Sequence, residues 1–93
     1  MIRAHLLIRG RVHGVGYRAG VKRMANHHNL KGWVRNTPNG DVEAVVEGGE
    51  EMVDRLIQWC HRGPASAHVT EVRVEKTEAT GEFHRFTVRR TWP

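Results

Sequence analysis

The apolar pattern of this chain changes period once, abruptly, at a pair of glycines, and that change restricts the fold more than any other feature. Ile2, Ala4, Leu6, Ile8 and Val12 alternate with Arg3, His5, Arg9 and Arg11, the period-two signature of a strand with one buried face. Gly14 and Gly16 interrupt it. From Tyr17 the stripe falls at Tyr17, Val21, Met24, Ala25 and His28, an amphipathic helix ending near Asn29. Gly20 within that helix is unfavourable by up to about 1 kcal/mol against alanine, and implies that a backbone or a ligand comes close there.

The remaining elements follow by the same reading. Leu30 to Thr37 and Asp41 to Gly48 read as strands, joined through Pro38-Asn39-Gly40, an Asn-Gly hairpin signal. Glu50 to Arg62 reads as a second helix with Met52, Val53, Leu56, Ile57 and Cys60 as its stripe, stopped by Gly63-Pro64. Its acidic first turn and basic last turn suit the helix dipole. Val69 to Glu78 is a fourth strand with Val72 and Val74 inward, and Phe83 to Arg90 a short fifth with Phe86 and Val88 inward. The order β-α-β-β-α-β defines an α+β, ferredoxin-like split β-α-β sandwich: an antiparallel-type sheet with two helices on one face, plus the short C-terminal strand. Right-handed crossovers make the first two strands parallel with the third between them. The C-terminal ends of those two strands then meet one edge of the sheet.

Composition narrows the chemistry. Ninety-three residues, 39% of them hydrophobic, allow one small domain spanning residues 1–93 with a thin core. The first 46 residues hold eight Lys and Arg against two Asp and Glu, a net of +6, while the rest nets −1. Such an imbalance points to an anionic partner: nucleic acid, acidic lipid or a phosphorylated small molecule. The single cysteine, Cys60, lies in an apolar helical stripe and reads as a small buried hydrophobe. No run approaches the roughly 18 apolar residues of a membrane span, and no secretory leader is evident. A soluble, cytoplasmic, monomeric protein is expected.

Two segments meet at the predicted edge. In the loop Gly10-Arg-Val-His-Gly-Val-Gly-Tyr-Arg18, successive amides around glycine can curl into a concave anion nest. The start of the first helix adds its partial positive charge. The loop amides concerned are those of Gly14, Val15, Gly16, Tyr17 and Arg18. On glycines alone, an ordinary turn with a surface arginine is the simpler reading. Arg18 in the first helical turn brings an anion site level with it, because a cation there is unfavourable unless an anion is present. Asn36 ends the second strand at the same edge, where its amide either caps the hairpin or holds a water beside a phosphoryl oxygen. His27-His28 reads as a solvated or half-buried pair rather than a metal site, since neighbouring helical positions diverge.

The two segments resemble the paired signatures of the acylphosphatase family, a Gly-x-Val-Gln-Gly-Val-Gly-Phe-Arg loop followed by Gly-Trp-Val-x-Asn and Gly-x-Val-Glu. This chain carries Gly10, Val12, Gly14, Val15, Gly16 and Arg18 of the first, and Gly32, Trp33, Val34, Asn36, Gly40, Val42 and Glu43 of the second. It departs at His13 for the usual glutamine, Tyr17 for phenylalanine and Asn39 for a frequent aspartate. The resemblance implies an enzyme that hydrolyses the carboxyl-phosphate bond of acyl phosphates by in-line attack of water. Arg18 and Asn36 are its catalytic residues, the loop amides hold phosphate, and neither metal nor cofactor is needed.

Three alternatives stand beside it. A basic ferredoxin-like nucleic-acid-binding module would stack bases on aromatic residues of the central strands, yet Asp41-Val-Glu-Ala-Val-Val-Glu47 and the first strand have none. Trp33, Trp59 and Trp92 read better as core or edge packing. A metallochaperone would need a Cys-x-x-Cys loop, which is absent. A regulatory or carrier domain of a larger carbamoyl-transfer protein is the third; the stand-alone enzyme fits better.

Overall fold

The computed structural model describes residues 1–90; Trp92, expected to pack in the core or at an edge, lies outside them. The elements are β1 (Ile2–Arg11), α1 (Tyr17–His27), β2 (Lys31–Asn36), β3 (Val42–Gly48), α2 (Glu50–Arg62), β4 (His68–Glu78) and β5 (Phe86–Val88). The strands form one sheet in the order β4-β1-β3-β2-β5, so β3 does lie between β1 and β2. Pairing is antiparallel except at the edge, where β5 runs parallel to β2 through Gly32–Phe86, Trp33–Thr87 and Val34–Val88.

Alternation produces two unlike faces. Ala4, Leu6 and Ile8 of β1, Val34 of β2, and Val42, Ala44 and Val46 of β3 are buried in one cluster with Tyr17, Val21 and Ala25 of α1 and Val53, Leu56 and Cys60 of α2. The opposite face is a lattice of charge pairs. Arg3 meets Glu47 and Glu82, Glu43 meets both His5 and Arg35, and Arg9 meets Asp41. Three of the eight Lys and Arg of the first half, Arg3, Arg9 and Arg35, are therefore paired at short range.

Several expectations need correcting. Val74 and Val88 do lie on the core face, paired with buried Leu6 and Val34, but they are 40% and 41% exposed, because β4 and β5 are edge strands whose outer residues pass beyond the helices. Only three residues of the last segment pair as a strand. What approaches Gly20 is neither backbone nor ligand: a Cβ there would run into the indole of Trp59. The His27 and His28 rings do not diverge but meet edge-on at 4.9 Å, since α1 ends at His27 and His28 has left helical geometry.

The hairpin forms, with a different turn from the Asn-Gly type. Gly40 N–H donates to the Thr37 carbonyl at 3.2 Å and Thr37 N–H to the Asp41 carbonyl at 2.8 Å. Gly40 has positive φ but Asn39 does not, which excludes the two-residue turn that needs both. Pro38 and Asn39 are the central pair, and Gly40 supplies the bulge that follows.

Beyond β4 the chain crosses to the far edge of the sheet over Glu47. The Glu47 carboxylate, 5% exposed, accepts bonds from Thr80 N–H at 2.9 Å, Thr80 Oγ1 at 2.8 Å and Gly81 N–H at 2.9 Å. That anchorage delivers β5 to β2.

Candidate active site

Where β1 leaves the sheet, its pairing with β4 shifts between Arg9 and Gly10, a bulge that turns the chain towards α1. Gly14 and Gly16 then take left-handed backbone conformations, φ 70° and 78°, in which a side chain is strained. Space is not the reason, because a Cβ at either would meet nothing within 4 Å.

Gly16 caps α1 without any side-chain bond, and the first turn has no acidic residue. The first helical bond runs from Gly20 N–H to the Gly16 carbonyl at 3.0 Å, so the amides ahead of it lack an intrahelical partner. Neither a cap nor an acid offsets the positive end of this helix, and Arg18 adds a cation to it.

Tyr17 fixes the turn from below. Its ring is 1% exposed and tilted against Trp59 at 5.6 Å, and its hydroxyl donates to the Cys60 carbonyl at 2.7 Å. That carbonyl belongs to the last turn of α2, where helical acceptors go unpaired. Burial, then the neighbouring Cys60, push the phenol above its ordinary pKa, so it stays a donor. Burial likewise pushes the Cys60 thiol up to about 12, leaving it inert. The Tyr17 hydroxyl is thus a tie between the two helices.

The cleft beside this turn, about 240 Å³, is lined by Val12, Gly14, Gly16, Tyr17, Arg18, Ala19, Asn36 and Val88. Arg18 and Asn36, 18 positions apart, thus face one space, as the sheet topology required. Val15 is outside the lining and packs its side chain on the core. No carboxylate, imidazole or thiol lines the cleft, and among the described residues no three such side chains are placed to hold a metal ion together. Sequence reasoning missed Ala19 and Val88 as lining residues; only the parallel docking of β5 brings Val88 to the cleft wall.

Asn36 is the anomaly. Its Oδ1 is buried and has no hydrogen-bond partner. Leaving such an oxygen unpaired costs about 1–3 kcal/mol, and a native fold tolerates that where the atom has another use.

The fold and this cleft define a small split β-α-β domain with one polar, carboxylate-free pocket at the β1–β2 edge. The family model for acylphosphatase matches residues 4–88. An acylphosphatase of Methylococcus capsulatus is 52% identical over 97% of this chain and 98% of its own length. The crystal structure of acylphosphatase from Bacillus subtilis superposes with a TM-score of 0.92 at 31% identity, over 96% of this chain and 99% of that one. Full-length HypF, in its phosphate- and nucleotide-bound form, contains a similar region: TM-score 0.85 and 30% identity over 98% of this chain, but 12% of that protein. The chain belongs to the acylphosphatase family. Membership supports an enzyme that hydrolyses acyl phosphates, over the nucleic-acid-binding alternative.

Proposed function

We propose that the Arg18–Asn36 cleft hydrolyses acyl phosphates to carboxylate and inorganic phosphate by in-line attack of water, without a metal ion. The phosphoryl group sits on the amides of Gly14 to Arg18, with the planar Arg18 fork on its oxygens. As the transition state spreads charge over those oxygens, the preorganised donors strengthen their hold. The Oδ1 of Asn36 accepts one O–H of a water and aims its lone pair at phosphorus. The water oxygen bonds to phosphorus while the phosphorus–carboxyl-oxygen bond breaks, and the departing electron pair stays on the carboxylate. With a conjugate-acid pKa of about 4, that leaving group needs no general acid. The substrate's own phosphate takes the water's proton.

Asn36, which lines the cleft with Arg18 and whose Oδ1 is buried without a hydrogen-bond partner, carries this reading. The acting species proposed is a monomer, one chain being sufficient to supply every group named above. The buried, unpaired Cys60 suits a reducing compartment, and the cytoplasm is the one proposed.

The test is hydrolysis of a simple acyl phosphate in the presence of chelator. Arg18→Ala and Asn36→Ala are each expected to lose about 10²–10³ in kcat, the usual worth of one positioned donor or orienting group. Near-wild-type turnover in either folded variant would falsify the assignment, and loss of wild-type activity to the chelator would overturn its metal independence.

A further inference from the structure

We infer that His13 is a positioning residue that holds the phosphate loop in register with Asn36; the inference rests on the reading of Arg18 and Asn36 above. His13 directly precedes Gly14, yet its side chain is not among those lining the cleft. Its Nε2 lies 2.7 Å from the Asp41 carbonyl oxygen. A carbonyl oxygen only accepts, so Nε2 carries the proton and donates.

The same oxygen accepts Thr37 N–H at 2.8 Å, and Thr37 directly follows Asn36. The Asp41 amide returns a bond to Thr37 Oγ1 at 3.1 Å, closing the hairpin around the joint. One carbonyl therefore fastens the loop that carries the phosphate donors to the strand end that carries the water-holding amide. Among the described residues, no other side-chain hydrogen bond links residues 12–18 to the hairpin.

In-line attack makes that distance matter. Phosphate affinity depends on the loop and Arg18 alone, whereas turnover depends on where the water stands relative to the bound phosphorus. A misplacement of 1 Å costs about 10²-fold. Loosening the joint should thus lower kcat and leave ground-state binding untouched. Glutamine, the usual family residue here, also carries an N–H donor at the end of its side chain and can make the same bond.

The experiment compares His13→Ala, His13→Leu and His13→Gln in kcat, KM and inhibition by inorganic phosphate. His13→Leu fills the space without a donor and serves where alanine lowers stability. The donor-free variants are expected to lose about tenfold or more in kcat, with KM and phosphate inhibition within about twofold, and His13→Gln to recover most of the rate. In an Asn36→Ala background, removing His13 should cost little more, because the two act on the same water. The inference fails if a folded donor-free variant keeps wild-type kcat, if glutamine is as impaired as leucine, or if the losses at positions 13 and 36 simply multiply. Wild-type turnover in Asn36→Ala overturns the site reading and this inference together. Wild-type turnover in His13→Leu beside a dead Asn36→Ala overturns this inference alone.

Discussion

Arg18 stands at the positive end of a helix that has neither a side-chain cap nor an acidic first turn. Two positive features in one place repel unless an anion joins them, and in the function proposed above the guanidinium fork shares that anion with the loop amides. Charge alone is not the point, because net charge counts Arg18 and Lys22 alike. Arg18→Lys keeps the charge and removes the planar fork. The expected result is a loss of about 10²-fold in kcat/KM, read from initial rates on a simple acyl phosphate at fixed ionic strength. A lysine variant within a few-fold of wild type would show that a point charge suffices. That Arg18 and Asn36 share one cleft was legible in the sequence, because the strand order fixes which strand ends meet. Val88, Ala19 and the His13–Asp41 bond were not, since each exists only once non-adjacent segments have docked.

At the scale of elements, the pairing of α1 with α2 decides how firmly the cleft is held. The Tyr17 ring leans on Trp59, and Trp59 occupies the space a side chain at position 20 would need. Helix propensity favours Gly20→Ala by up to about 1 kcal/mol. Overpacking against a partly buried indole opposes it by about 1–3 kcal/mol. The steric effect should win: Gly20→Ala is expected to lower the urea midpoint, and Trp59→Leu in the same chain to relieve part of that loss. A Gly20→Ala protein more stable than wild type would mean the indole swings away at no cost. Element type and order were readable because each segment keeps one period throughout, and the β-α-β-β-α-β order then fixed which strand ends meet. Alternation put Val74 and Val88 on the right face but not at the right depth, because it says which residues share a face, not how far a helix covers it. The hairpin turn was misjudged for a similar reason: Asn39-Gly40 suits a two-residue turn, but the hydrogen bonds of Thr37 with Gly40 and Asp41 centre the turn on Pro38 and Asn39 instead.

For the molecule as a whole, the end of the sheet remote from the cleft depends on one acid. Glu47 sits at the far end of β3, under the crossing that carries the chain from β4 at one edge to β5 at the other. Burial by itself would raise its pKa. The bonds from Thr80 and Gly81, with Arg3 beside it, outweigh burial and hold the carboxyl below the usual glutamate range. A group depressed in the folded state stabilises the fold above its unfolded pKa, and that contribution disappears as pH falls through the folded value. Glu43, held low by His5 and Arg35 against a similar burial effect, acts in the same direction. Wild-type stability should therefore decline on acidification below the ordinary glutamate range of about pH 4.3. Glu47→Gln separates the two acids. Both Glu47 oxygens accept from N–H or O–H groups, so glutamine must turn its NH₂ against a donor on one side. At pH 7 the variant is expected to be less stable by about 2 kcal/mol, a typical value for hydrogen bonds to a buried charge. The difference from wild type should shrink as pH falls through the Glu47 value, because the protonated acid has itself become a poor acceptor. Urea midpoints of the two proteins between pH 7 and pH 3 measure this directly. A constant difference across that range would mean that the crossing is held by packing and not by the charge on Glu47.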